Sequence, residues 1–306
     1  MGADHIAVRS ALGPLGVWTF AFDSMGAPAI RAAARRMEGL GYSALWIPEG
    51  SSSREIFSHL SLLLGATDRI TAAAGIANIT ARHPVAMAQG ARTIADAYPG
   101  RSVTGIGVGH QYSTALRGID WRDPVGRMRD YLARMDATPW SAPDVSAPRL
   151  LAALGPRMLD LSAELALGAH TYFVPADHTA WARERLGPEP VLAVEMSAVL
   201  DRDPSAARAK ARGWARHYLE LPNYRNNWLR MGFGETDVTG DGSDTLIDAG
   251  VAWGDAATVA ERARSHLAAG ADHVCIQVVG LADDDPGLAA LEELAPLVLG
   301  LADRRP

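Results

Sequence analysis

"RITAAAGIANITARHPVAMAQGARTIADAYPGRSVTGIGVG", residues 69–109, sets two apolar runs on either side of a longer segment of helical period. Residues 69–77 read as a strand. Pro84 suits the first turn of a helix over 84–97, because proline lacks an N–H that the first turn leaves unbonded anyway. Residues 101–109 then read as a second strand and its turn. A strand, a crossover helix and a second strand are the unit of a parallel sheet. The first run also poses a question. It carries Gly75 and Asn78 where bulky β-formers would pack better, and it runs into Arg82, His83 and Pro84. A tight turn and a platform for a flat ligand both satisfy this pattern.

The same unit recurs along the chain. Strands are expected at 16–20, 43–48, 69–77, 101–109, 149–154, 169–174, 191–200 and 272–279. Between them run helical segments such as 27–39, where Ile30, Ala33, Ala34 and Met37 form an apolar stripe. The strands are continuous apolar runs, as required when both sheet faces are covered. Eight β/α units predict an α/β fold, a (β/α)8 TIM barrel, in one domain over residues 1–306. The largest interruption, 221–254, is an insertion before the last β/α unit, and its mix of aromatics, amides and Gly/Asp turns suits a lid or an interface. A doubly wound open sheet is the alternative. That fold would place a G-x-G-x-x-G turn after its first strand, where this chain has "GVWTFAFDS".

Composition narrows the function. The 306 residues are 48% hydrophobic with a net charge of −6, which gives no basic face for nucleic acid. No apolar run approaches the roughly 20 residues of a membrane span, and the start "MGADHIAVRS" lacks the apolar core of a signal peptide. The single cysteine, Cys275, fits a reducing cytoplasm and reads as a small core residue. The one lysine, Lys210, lies in a charged helix, which argues against Schiff-base catalysis.

In a barrel the site is built at the C-terminal strand ends. Those ends carry Trp18, Glu49, residues 75–78 (Gly75, Ile76, Ala77, Asn78), residues 107–110 (Gly107, Val108, Gly109, His110), then Gly155, Pro156 and Arg157, His170 with Tyr172, and Glu195. The set is poor in metal ligands, and no metal site is expected. No P-loop or G-x-S-x-G elbow occurs. Glycines at successive strand ends let backbone approach a ligand closely. "LGPRML" (154–159) is either an ordinary turn or an anion site, with the N–H groups of Arg157 and Met158 at a helix start. Glu49 ends an apolar strand, so its carboxylate must be hydrogen-bonded or functional. His110 and His170 read equally as structural or functional residues. Trp18, Trp46 and Trp253 suit either an apolar pocket or plain core; His83 and Pro84 read as a helix start, with Arg82 a candidate to face a phosphate.

These blocks together resemble the luciferase-like monooxygenase family of the bacterial luciferase superfamily, and within it actinobacterial oxidoreductases that use the deazaflavin coenzyme F420. The resemblance runs almost end to end, through "LGVWTF", "LGYSALWIPE", "GIANITARHPVAMAQGARTIADAYPGR", "GIGVGH", "ALGPRMLDLSAELALGAHTYFV", "LPNYRNNWLRMGF" and "GADHVCIQVV". It implies a barrel with F420 in the C-terminal mouth, transferring a hydride to or from a small-molecule substrate, and a frequent homodimer; the alternatives are a monooxygenase using reduced FMN and oxygen, or a non-catalytic flavin- or deazaflavin-binding protein. It further implies a non-prolyl cis peptide at Gly75-Ile76, cofactor contacts from Glu49, 75–78, 107–110 and 155–158, and proton transfer by His110 or Glu49. Trp18, His170, Tyr172 and Trp253 are the expected substrate contacts. Two departures stand out. Gly50 occupies the place where sugar-phosphate dehydrogenases of the superfamily carry a histidine, and His110 occupies the place of their glutamate.

Overall fold

Buried on both faces, the apolar runs pair in parallel and close on themselves. The computed structural model describes residues 2–119 and 122–299. Its strands are β1 (Leu15–Trp18), β2 (Ala44–Ile47), β3 (Thr71–Ala74), β4 (Ala77–Asn78), β5 (Ser102–Gly107), β6 (Arg149–Ala152), β7 (Gly168–Thr171), β8 (Val191–Leu200), β9 (Val251–Gly254) and β10 (His273–Val278). The ring runs β10, β1, β2, β3, β5, β6, β7, β8, and β8 pairs back onto β10. Closure excludes the open doubly wound sheet and gives the (β/α)8 barrel. Around and between the strands lie α1 (Ala3–Leu12), α2 (Ala27–Gly39), α3 (Ile56–Leu64), α4 (Pro84–Ala97), α5 (Gln111–Ala115), α6 (Pro124–Asp136), α7 (Pro156–Leu165), α8 (Ala176–Leu186), α9 (Pro204–Leu219), α10 (Pro222–Arg230), α11 (Asp244–Gly250), α12 (Ala256–Ala268) and α13 (Leu288–Leu299).

Each strand serves two cores. Val17, Leu45, Ala72, Leu151, Leu192 and Val194 pack with the helices in one cluster. Their neighbours Trp18, Trp46, Ala73, Leu150, Ala193 and Cys275 form another inside the barrel. This division explains why the strands read as unbroken apolar runs. Val8 and Leu12 of α1 join the inner cluster, so this helix covers the barrel interior ahead of β1. The sequence reading gave it no helix. Several strands are also shorter than expected, β6 ending at Ala152 for example. The chain leaves the sheet after Trp18, which puts Phe20 at the surface, and it leaves after Thr171, where Phe173 adopts a left-handed φ of 52°.

The third strand carries an extra residue. Ala73 is level with Val103 and Ala77 with Ile106, so four steps on one strand match three on the other. This is a bulge, and the Gly75-Ile76 peptide bond within it is cis. The glycines nearby make room for side chains. A methyl group on Gly75 would strike the Trp18 indole, one on Gly107 would strike Ile76, and one on Gly109 would strike Asn78. These three glycines therefore also interlock the bulge with its neighbours.

The insertion falls before β10, as expected, and has its own aromatic core of Phe173, Tyr218, Tyr224 and Trp228 with Leu246, Ile247 and Val251. Strand β9 lies outside the ring and pairs with Ser197–Leu200 of β8, beyond the part that β7 covers.

Candidate active site

The C-terminal strand ends and the inner faces of α9 and α10 enclose a cavity of about 790 Å³. Of the residues expected at the site, Trp18, Glu49, Gly75, Ile76, Asn78, Gly107, Val108, Gly109, His110, Gly155, Pro156, Arg157, Met158, His170 and Tyr172 line it. Two do not. Ala77 is fully buried and packs in the outer core. Trp253, on β9, donates its indole N–H to Asp248 at 2.7 Å and lies 5.1 Å from the Arg208 guanidinium. It follows the edge of the barrel and not its mouth.

Glu49 is held on every side. One carboxylate oxygen accepts from the Asn78 N–H and from Arg82 Nη1, each at 2.8 Å, and the other accepts from Arg82 Nη2. Arg82 also lies 3.2 Å from Glu55 and 5.3 Å from the Phe57 ring. The second strand's carboxylate therefore clamps the bulge through the loop before α4. This also settles Arg82, which faces Glu49 and no open anion site.

On the opposite wall, aromatic rings and imidazoles meet. His110 lies 5.9 Å from both Tyr112 and Tyr224. Burial, with a smaller effect of nearby His217, lowers its pKa to about 4, so the imidazole is neutral at pH 7. Tyr172 donates its hydroxyl to Gln277 at 2.7 Å and shares a bond of 2.9 Å with Tyr218. Beneath them Glu195 is fully buried and accepts from the Phe173 N–H and from Ser197. Burial outweighs those bonds and raises its pKa to about 7.

At the third corner the turn after β6 opens onto α7. Gly155 caps this helix with no side chain bonded to its first N–H groups. A methyl group on Gly155 would find only Arg230 within reach, 3.6 Å from Nη2. Arg230 belongs to α10 and donates to Asn227 at 2.9 Å, while His178 donates to the Leu154 carbonyl at 2.9 Å. Burial lowers the Arg230 pKa. An uncapped helix start beside Arg157 and Arg230 is a place suited to an anion.

Sequence reasoning missed Phe20, Tyr112, Trp214, His217, Asn223, Tyr224, Asn226 and Arg230, all of which line the cavity. The last four were signalled only by the amide- and aromatic-rich block 221–233, which names no roles. Among the described residues no group of His, Cys, Asp and Glu is arranged to hold a metal ion, and no helix is long and apolar enough to cross a membrane.

The family described as luciferase-like monooxygenase matches residues 14–273. The chain is 25% identical over 206 residues to a 5,10-methylenetetrahydromethanopterin reductase of Methanolobus tindarius, covering 58% of this chain and 63% of that one. It is 28% identical over 149 residues to the protein of the same name from Archaeoglobus fulgidus, covering 43% and 45%. The matches thus span less than two thirds of these relatives' own length. Among solved structures, an F420-dependent secondary alcohol dehydrogenase in complex with an F420-acetone adduct superposes with a TM-score of 0.75 at 16% identity, covering 93% of this chain and 98% of that one. The oxygenating constituent of 3,6-diketocamphane monooxygenase from Pseudomonas putida, in complex with FMN, gives 0.67 at 16%, covering 92% and 98%. At these identities the likeness is one of fold.

Proposed function

The chain belongs to the luciferase-like monooxygenase family, and from that premise we propose that it is an oxidoreductase that holds coenzyme F420 in the cavity and moves a hydride between it and a small organic substrate. The observation that carries the reading is the α7 start, uncapped and flanked by Arg157 and Arg230, at one end of a cavity whose other end is the bulge. Phosphate fits the first end, through the N–H groups of Arg157 and Met158. A flat ring fits the second, where buried polar atoms of Trp18 and His170 lack partners. Among the neighbours, the dehydrogenase with an F420-acetone adduct is what speaks for the deazaflavin.

When bound, the coenzyme supplies the hydride chemistry, and the chain does the rest. Residues 75–78 support the ring, with Glu49 holding Asn78 in place. His110 handles the proton that accompanies the hydride, because both Glu49 oxygens are already taken. Phe20, Tyr112, Trp214 and Tyr224 give the substrate an aromatic wall, which favours an apolar, uncharged molecule. Segment 221–254 closes the site from water as part of the same single domain. A second reading, an FMN-dependent monooxygenase using oxygen, has the FMN-bound neighbour in its favour.

Side-by-side fluorescence titration with F420 and FMN tests the proposal. F420 is expected to bind at micromolar concentration and FMN more weakly. Tighter FMN binding would favour the second reading, and no binding of either would remove both.

A further inference from the structure

Among the described residues that wall the cavity, His170 Nε2 and the indole Nε1 groups of Trp18 and Trp214 are buried polar atoms without a partner. Trp18 and His170 are 2% and 3% exposed. Leaving such atoms unpaired is costly, so they point to a ligand that pairs them.

The protein determines which role each atom plays. His170 Nδ1 lies 3.2 Å from the Ala193 carbonyl oxygen, which can only accept. The ring proton therefore sits on Nδ1, and Nε2 presents a lone pair. The ring is held flat against Trp46, with centroids 4.4 Å apart and planes 16° apart. Trp46 is anchored in turn: it donates to His273 Nε2 at 2.9 Å, and His273 Nδ1 donates to the Gly13 carbonyl at 2.8 Å. Burial lowers the His170 pKa to about 3, so no second proton turns Nε2 into a donor near neutrality. An indole N–H, by contrast, only donates. The nearby Tyr172 hydroxyl is already spent on Gln277 and Tyr218, and Glu195 on Phe173 and Ser197.

The wall thus offers one fixed acceptor and two fixed donors. Their complement is a group with an N–H beside carbonyl oxygens, an imide edge. Building on the cofactor reading above, we propose that His170 Nε2 accepts the imide N–H of the bound ring's pyrimidinedione edge, while the Trp18 indole donates to an adjoining carbonyl. His170 and Trp18 then belong to cofactor recognition, where the sequence had given them to substrate.

The test uses the phosphate-free chromophore 8-hydroxy-5-deazariboflavin and its N3-methyl derivative, titrated by fluorescence against the wild-type protein and His170→Phe. Phenylalanine keeps the stack on Trp46 and removes the acceptor. The wild type is expected to bind the methylated ring at least tenfold more weakly than the parent, and His170→Phe to bind the two alike. Equal binding of both rings by the wild type overturns the proposal without recourse to any variant. Undiminished discrimination by a folded His170→Phe also overturns it. Should the wild type bind the methylated and parent rings alike while binding F420 tightly, the cofactor reading stands and the His170 assignment falls. Failure to bind any of these compounds removes the cofactor reading itself.

Discussion

Both oxygens of Glu49 are engaged within the protein, and the side chain of its partner Arg82 is only 10% exposed. Glu49→Gln leaves that cation facing a neutral amide, with only the outlying Glu55 to compensate. A loss of about 3 kcal/mol is expected from urea unfolding, because breaking a buried pair strands one charge; a loss near zero would mean that the clamp is idle. A buried carboxylate was legible in the apolar strand that it ends. Its partner was not, since Arg82 lies 33 positions away and no spacing rule links them. His110 makes the complementary case. Its place was legible from "GIGVGH", but its pKa depends on the groups that fold around it, Tyr112, His217 and Tyr224 among them, and sequence does not supply that enclosure. If it handles the proton, His110→Ala lowers kcat by about 10²–10⁴ with coenzyme binding intact. Held near pKa 4, it contributes no limb to the pH–rate profile between pH 6 and 7, and a histidine limb there that vanishes in His110→Ala would refute its burial.

At the scale of elements, the α7 start was readable because a Gly-Pro pair opens a helix, whereas the residues around Gly75 left a tight turn and a ligand platform open and the cis peptide came with the family resemblance. The insertion's contribution was not readable, because α10 reaches the α7 start only through tertiary packing of His178, Asn227 and Arg230. If this corner binds the phosphate, Arg157→Ala and Arg230→Ala each weaken F420 by about tenfold, the worth of one charge-assisted bond. Affinity for the phosphate-free chromophore should stay unchanged, and equal losses for both ligands would contradict the assignment. The insertion's own core depends on Trp228, which is fully buried against Phe173 and Phe233. Trp228→Ala is expected to cost about 3–5 kcal/mol in urea unfolding. The same variant should lose coenzyme affinity, since α10 carries Arg230.

Across the whole molecule, the barrel was legible because every strand is apolar on both faces and each is followed by a helix of clear period. The N-terminal α1 was overlooked, as its pattern is weak and its apolar face becomes meaningful only over the open end of a barrel. A property of the whole fold is its store of neutral buried histidines. His59, His110 and His178 have pKa values lowered to about 4, and His170 and His266 to about 3, all chiefly by burial. Between the ordinary value of 6.5 and these values the unfolded chain binds more protons than the folded one, so stability falls as pH falls through that window. Glu195, raised to about 7, acts in the opposite sense, giving stability that is lost as pH rises through 7. Asp23, raised by burial, opposes the histidines likewise. Five groups outweigh two, and the melting temperature is expected to drop markedly between pH 7 and pH 5; a flat profile would contradict the burial of the histidines. The central claim is that one cavity holds a ring at the bulge and a phosphate at α7. A crystal structure of the protein soaked with F420 tests it most directly. Density with the ring against residues 75–78 and the phosphate within hydrogen-bond reach of the Arg157 and Met158 N–H groups is the predicted result, and density for the coenzyme outside this cavity, or with its phosphate away from α7, would contradict it.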